Sequence, residues 1–279
     1  MKKTKSKKKS FSPYVVANWK MNLMYQETEN LIIALREKLK NFYAKCHIVI
    51  CPSYTVLDRA RQLLIASKIE LGAQDMFWEL SGNYTSQISV KMLRELNCHY
   101  VMIGHSERKI YAGETDETID RKTVVAVRNG IIPIICVGET REQRRQGVQF
   151  MVVNDQVKKA LRFVNPIFSQ ERIIICYEPV WSIYPGQPCI PAQAREMAMV
   201  IRQALIDLYP EDIVYNNFEL IYGGSVEEKN VLNYVDGESF SGVLVGTASL
   251  EVEKFSKIIK HLCYRHKPKE IKLKKEIIK

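Results

Sequence analysis

Short apolar runs alternate with amphipathic stretches along almost the whole chain. The apolar runs are 14–18, 47–51, 70–73, 100–104, 131–137, 172–178, 219–222 and 242–246. Each is nearly continuous in Val, Ile, Leu, Ala, Cys or Tyr, the pattern of a strand buried on both faces of a parallel sheet. The stretches between and after them carry helical spacing. Residues 27–40 place Leu31, Ile32, Leu35 and Leu39 on one face. Residues 115–129 open on Thr115, carry Ile119 and Val127, and stop before Gly130. Residues 191–208 start on Pro191 and repeat Ala194, Met197, Ile201, Leu205 and Leu208. Eight strand-like and eight helix-like segments alternate without a long linker or a break in composition. This α/β alternation predicts a closed (β/α)8 barrel, one domain, over an open doubly wound sheet. An open dinucleotide-binding sheet would need a Gly-rich turn after its first strand, and none follows residue 18.

Composition narrows the class. The 279 residues suit one barrel of roughly 250 residues. No apolar run approaches the roughly 20 residues that span a bilayer, so no membrane is expected. The first ten residues hold six lysines and no apolar segment, a poor secretory signal and, without Arg, a poor transit peptide. Seven scattered cysteines lack zinc-ligand spacing and read as free thiols in a reducing cytoplasm, which sets the expected location. No metal and no cofactor is expected. The formal charge of +10 sits at the ends: residues 254–279 hold ten Lys or Arg against two Glu, which with the first ten residues leaves −4 for the body. Such tails read as solvated, disordered extensions. No aromatic interleaves the N-terminal lysines, so base stacking lacks a platform there and nucleic acid is not an expected partner. The competing function is a barrel scaffold that binds nucleic acid or another surface through these tails.

The ends of the predicted strands carry the chemistry. In such a barrel the site forms at the C-terminal ends of the strands. Strand one ends in Asn18-Trp19-Lys20, offering a fixed cation. Strand four runs into Gly104-His105-Ser106-Glu107. A helical turn starting there would disfavour imidazolium and keep His105 neutral. Strand six ends on Glu178, followed by Pro179-Val180-Trp181. A carboxylate at an apolar mouth is expected to have a raised pKa, toward the range of a useful base. Gly223-Gly224-Ser225 and Gly246-Thr247 follow strands seven and eight, where barrels often hold phosphate. A base, a neutral electrophile, a cation and a phosphate cradle suit proton abstraction beside a carbonyl in a small sugar phosphate.

The motifs NWKMN (18–22), GAQD (72–75), GHSER (104–108), ICVGET (135–140), YEPVW (177–181), YGGSV (222–226) and LVGTASL (244–250) resemble those of the triosephosphate isomerases, in order and near spacing. The resemblance covers about residues 13–258. It implies a TIM barrel over 13–259, with basic extensions at 1–12 and 260–279, that interconverts dihydroxyacetone phosphate and D-glyceraldehyde 3-phosphate. It assigns Glu178 as the base, His105 as the proton shuttle and Lys20 as the cation for the enediolate and the phosphate. Asn18 would position a substrate oxygen and His105. Tyr184, Ser225, Gly246 and Thr247 would hold phosphate. Glu107 would support Lys20, and Cys136 would pack behind the glutamate. A homodimer through the 82–88 loop is also implied.

Three departures stand out. Where the family's lid usually has Gly-Thr-Gly-Lys, this chain has Tyr184-Pro185-Gly186-Gln187 followed by Pro188. Two prolines narrow the open-lid ensemble and are expected to alter closing kinetics, not chemistry. Gln87 stands where an interface Glu is usual and supplies no charge. Thr247 replaces a frequent Gly while keeping its backbone N–H. Another phosphate-binding barrel enzyme is a third reading, which the Asn-x-Lys, His and Glu of strands one, four and six argue against.

Overall fold

In the computed structural model, residues 12–43, 45–168, 172–182 and 188–264 are described. Eight parallel strands close into a barrel in chain order: β1 (Tyr14–Asn18), β2 (His47–Cys51), β3 (Ile69–Ala73), β4 (Cys98–Ile103), β5 (Ile132–Val137), β6 (Ile173–Tyr177), β7 (Phe218–Tyr222) and β8 (Gly242–Val245). The predicted (β/α)8 architecture is therefore present. β1 and β2 keep the limits read off the sequence, and the other six strands shift by one or two residues at one or both ends.

Eleven α-helices occur among the described residues, more than the eight amphipathic stretches predict. They are α1 (Tyr25–Leu39), α2 (Leu57–Leu64), α3 (Val90–Glu95), α4 (Ser106–Tyr111), α5 (Asp116–Arg128), α6 (Arg141–Arg145), α7 (Gln149–Ala160), α8 (Pro191–Leu208), α9 (Glu211–Asn217), α10 (Val231–Tyr234) and α11 (Val252–Tyr264). Side chains set several of their limits. Glu27 accepts from the backbone N–H of Met24 at 2.7 Å at the start of α1. Thr115 and Thr118 bond reciprocally at the start of α5. The last helix runs five residues past the boundary expected at 259, because Leu262 and Cys263 are still buried.

Strand alternation divides the core in two. One set of side chains, including Val16, Val49, Tyr100, Met102, Ile134, Ile174, Ile221 and Leu244, fills the barrel interior. The alternate set, including Val15, Ala17, Ile48, Ile50, Ile135 and Ile175, packs with helix residues such as Leu35, Val127, Ile201 and Ile259. With its interior filled, the barrel offers a ligand its rim, where the βα loops meet. Among the described residues no helix is long and apolar enough to cross a membrane.

Candidate active site

A cavity of about 570 Å³ opens at the C-terminal ends of the strands. Asn18 at the end of β1, Lys20 just beyond it, His105 after β4 and Glu178 after β6 line it. So do Gly223 to Ser225 after β7 and Gly246 and Thr247 after β8. The sequence-predicted residues thus converge on one space from five strand ends. Tyr184 and Pro185 lie outside the described residues; Pro188 is exposed. Cys136 does not line the cavity. It sits in the barrel interior, in register with Cys176 on the neighbouring strand.

Lys20 is held in a left-handed backbone conformation, φ 52°, uncommon for a residue with a side chain. The end of its own strand and the residue that follows β3 pin it there. The Asn18 side-chain oxygen accepts from the Lys20 backbone N–H at 3.0 Å. The Gln74 amide donates to the Lys20 carbonyl at 2.8 Å and to the Cys51 carbonyl at 3.0 Å. At the other end of the side chain, Nζ meets Glu107 Oε1 at 2.7 Å. Asn18 and Gln74 therefore fix the backbone from which the cation projects.

His105 follows Gly104, whose φ of +74° turns the chain out of β4. A side chain on Gly104 would also crowd Ile119 and the Cys136 carbonyl. His105 then caps α4, its Nδ1 accepting from the Glu107 backbone N–H at 3.3 Å. Its Nε2 lies 2.8 Å from Glu178 Oε1. The other Glu178 oxygen accepts from the Ser106 backbone N–H at 2.9 Å. Glu178 and His105 are both buried.

This pairing changes the titration expected from sequence. Burial raises the Glu178 pKa, as predicted, but the His105 charge and hydrogen bond and the Ser106 amide pull it below the usual carboxylate range. Burial lowers the His105 pKa, yet the Glu178 charge and hydrogen bond outweigh it, and the balance lies above the ordinary imidazole value. Lys20 pulls His105 downward, toward the predicted neutral form, and the amide on Nδ1 favours the same form. The stability that Glu178 contributes is present above the ordinary carboxylate pKa and lost as pH falls through its depressed value. The His105 contribution is present below the ordinary imidazole pKa and lost as pH rises through its raised value. Glu178→Gln is therefore expected to move the His105 midpoint from above its ordinary value to below it, read by imidazole NMR without ligand. An unmoved midpoint would show that Glu178 does not set it.

Two groups escaped the sequence reading. Ser106, inside GHSER, has no chemical signal of its own in the sequence, yet its backbone amide holds the carboxylate. Glu139, in ICVGET, is fully buried. It accepts from Trp181 Nε1 at 2.7 Å, from the Tyr177 hydroxyl at 3.2 Å and from Arg144 at 2.8 Å. It ties the segment after Glu178 to strand five. A charged residue amid small ones at a strand end was the available signal for it.

A closed eight-stranded barrel, with a buried carboxylate–imidazole pair and a pinned cation around a cavity at its C-terminal rim, defines the class: a (β/α)8-barrel enzyme. The family model for triosephosphate isomerase matches residues 13–262. The triosephosphate isomerase of Dictyoglomus turgidum is 42% identical over 246 residues, 88% of this chain and 98% of that protein. That of Aquifex aeolicus is 40% identical over 245 residues, 88% and 97% of the two chains. That of Endomicrobium trichonymphae is 39% identical over 249 residues, 89% and 98%. The chain belongs to the triosephosphate isomerase family.

Proposed function

We propose that this protein interconverts dihydroxyacetone phosphate and D-glyceraldehyde 3-phosphate through an enediolate. The observation that carries the reading is that Lys20, His105 and Glu178, from three separate strand ends, line one cavity with the turns after β7 and β8. Its volume is ample for a triose phosphate.

Glu178 removes the proton from the carbon beside the carbonyl and returns it to the neighbouring carbon. To do so it must leave Ser106 and His105, and a substrate oxygen takes its place at Nε2. His105 then donates to the carbonyl oxygen and moves protons between the two substrate oxygens. The Lys20 ammonium, steadied by Glu107, opposes the negative charge that develops on those oxygens. Asn18 positions a substrate oxygen as well as the Lys20 backbone. Ser225, Gly246 and Thr247 hold the phosphate, joined by the Tyr184 backbone N–H. Cys136 is a supporting residue beneath the glutamate. A coupled assay run in both directions on the full chain tests the reading. Turnover of both triose phosphates is expected, and none in either direction would overturn it.

We further place the enzyme in the cytoplasm as a homodimer. Met21, beside Lys20, is 96% exposed, and residues 81–87 are exposed as well. Docking the 82–88 loop of a second copy beside Lys20 and Met21 would cover both surfaces. Gln87 leaves that contact one charge short, while Arg108 is engaged within its own chain by Asp75 at 2.9 Å. Sedimentation at micromolar protein should give a dimer; a fully active monomer would exclude this assembly.

A further inference from the structure

Far from the active site, two cysteines meet across the N-terminal end of the barrel. Cys46 stands one residue before β2, in the connection that follows α1. Cys263 is the penultimate residue of α11, the helix packed beside α1. Their sulfurs lie 2.9 Å apart, although 217 positions separate them in sequence. A disulfide needs about 2.05 Å between sulfurs, so bonding requires a further approach of less than one methyl radius. Both are largely buried, Cys46 at 6% and Cys263 at 9% exposure. They lie under a thin edge of the molecule: Tyr264 is 54% exposed, packs edge-on against Phe42, and carries the Lys45 ammonium over its ring at 4.5 Å.

We propose that Cys46 and Cys263 form a reversible thiol–disulfide clip that ties the C-terminal helix to the entry of strand two.

Several features separate this pair from the other cysteines. The hydrogen bond between the two sulfurs draws the Cys263 thiol below its ordinary pKa, against its burial, and Lys45 adds to the effect. The same contact and burial push Cys46 up. Burial instead pushes Cys98 and Cys189 up to about 12. Cys136 and Cys176 are also neighbours, but they sit in the barrel interior at 1% and 0% exposure, where an oxidant has no approach.

The oxidant is a low-molecular-weight disulfide. The Cys263 thiolate attacks one sulfur of glutathione disulfide; a mixed disulfide forms and one glutathione thiolate leaves. Cys46 loses its proton and attacks the Cys263 sulfur, forming the protein disulfide and expelling the second glutathione thiolate. Two cysteine thiols are oxidised, one glutathione disulfide is reduced to two thiols, and the two cysteine protons end on the released glutathiones. The bond would close a loop spanning most of the barrel, which restricts the unfolded chain strongly.

The test treats the purified full chain with glutathione disulfide and maps it by peptide mass spectrometry without reduction. A peptide cross-linked through Cys46 and Cys263, two free thiols lost per chain, and a rise in Tm of about 5–10 °C reversed by dithiothreitol are expected. Cys263→Ala and Cys46→Ala should each lack both the cross-link and the rise. Glutathione retained on Cys263 without a cross-link, a cross-link between other cysteines, or seven thiols still free after treatment would overturn the proposal. The readout on the unaltered chain does not depend on either variant folding.

Discussion

Glu178→Asp is expected to lower kcat by about 100-fold or more, with KM changing far less. The carboxylate stays, its charge stays, and the strand that carries it stays. Only its reach shortens, by one methylene. In the free enzyme Nε2 of His105 at 2.8 Å and the Ser106 N–H at 2.9 Å hold the two Glu178 oxygens. The backbone beneath is anchored by the Glu178 N–H donating to the Val137 carbonyl at 2.8 Å. A shorter side chain cannot recover the lost reach by shifting that backbone. Steady-state kinetics checks this beside thermal melting: a loss of activity at nearly unchanged Tm places the effect in the chemistry. A kcat within about tenfold of wild type would remove Glu178 from the role of base.

Gly138→Ala is expected to cost the most stability of any single methyl added at the rim, about 3 kcal/mol or more, or roughly 10 °C in Tm. A Cβ on Gly138 would stand 1.8 Å from the Glu178 carbonyl oxygen. That neighbour is backbone on the adjoining strand and cannot rotate away. Nor can Gly138 retreat, because the Gln156 side chain holds both its N–H, at 2.7 Å, and its carbonyl, at 3.1 Å. The close approach of these two strand ends is what brings Glu178 over the site. Any of the variant that folds should therefore have a displaced base and reduced turnover. A Tm within about 2 °C of wild type would contradict the tight packing.

The barrel was legible because its strands are buried on both faces and so write themselves as unbroken apolar runs. The long helices were legible for the matching reason, since α1, α5 and α8 each bury one stripe. Short rim elements left no such trace. α6, Arg-Glu-Gln-Arg-Arg, buries no residue and has no apolar period to read. α4 buries only Ser106.

The site divides along the same line. Strand-end residues with chemical character could be picked from sequence, and Lys20, His105 and Glu178 do share one cavity. Their mutual state could not. The contact between Ser106 and Glu178 joins residues 72 positions apart, and it is this contact, with His105, that turns the expected rise in the Glu178 pKa into a fall. Gln74 was visible inside GAQD, but its task, holding a strained Lys20 carbonyl, depends on a backbone angle that no residue pattern announces.

The claim on which the functional reading turns is that Glu178 itself carries the proton between the two carbons. Incubating dihydroxyacetone phosphate with enzyme in deuterium oxide and following the carbon-bound protons by NMR addresses it directly. Wild type should produce triose phosphate labelled with deuterium at the reacting carbon, and Glu178→Gln should leave the carbon-bound protons in place over the same time. Exchange by Glu178→Gln at the wild-type rate would show that another group is the base.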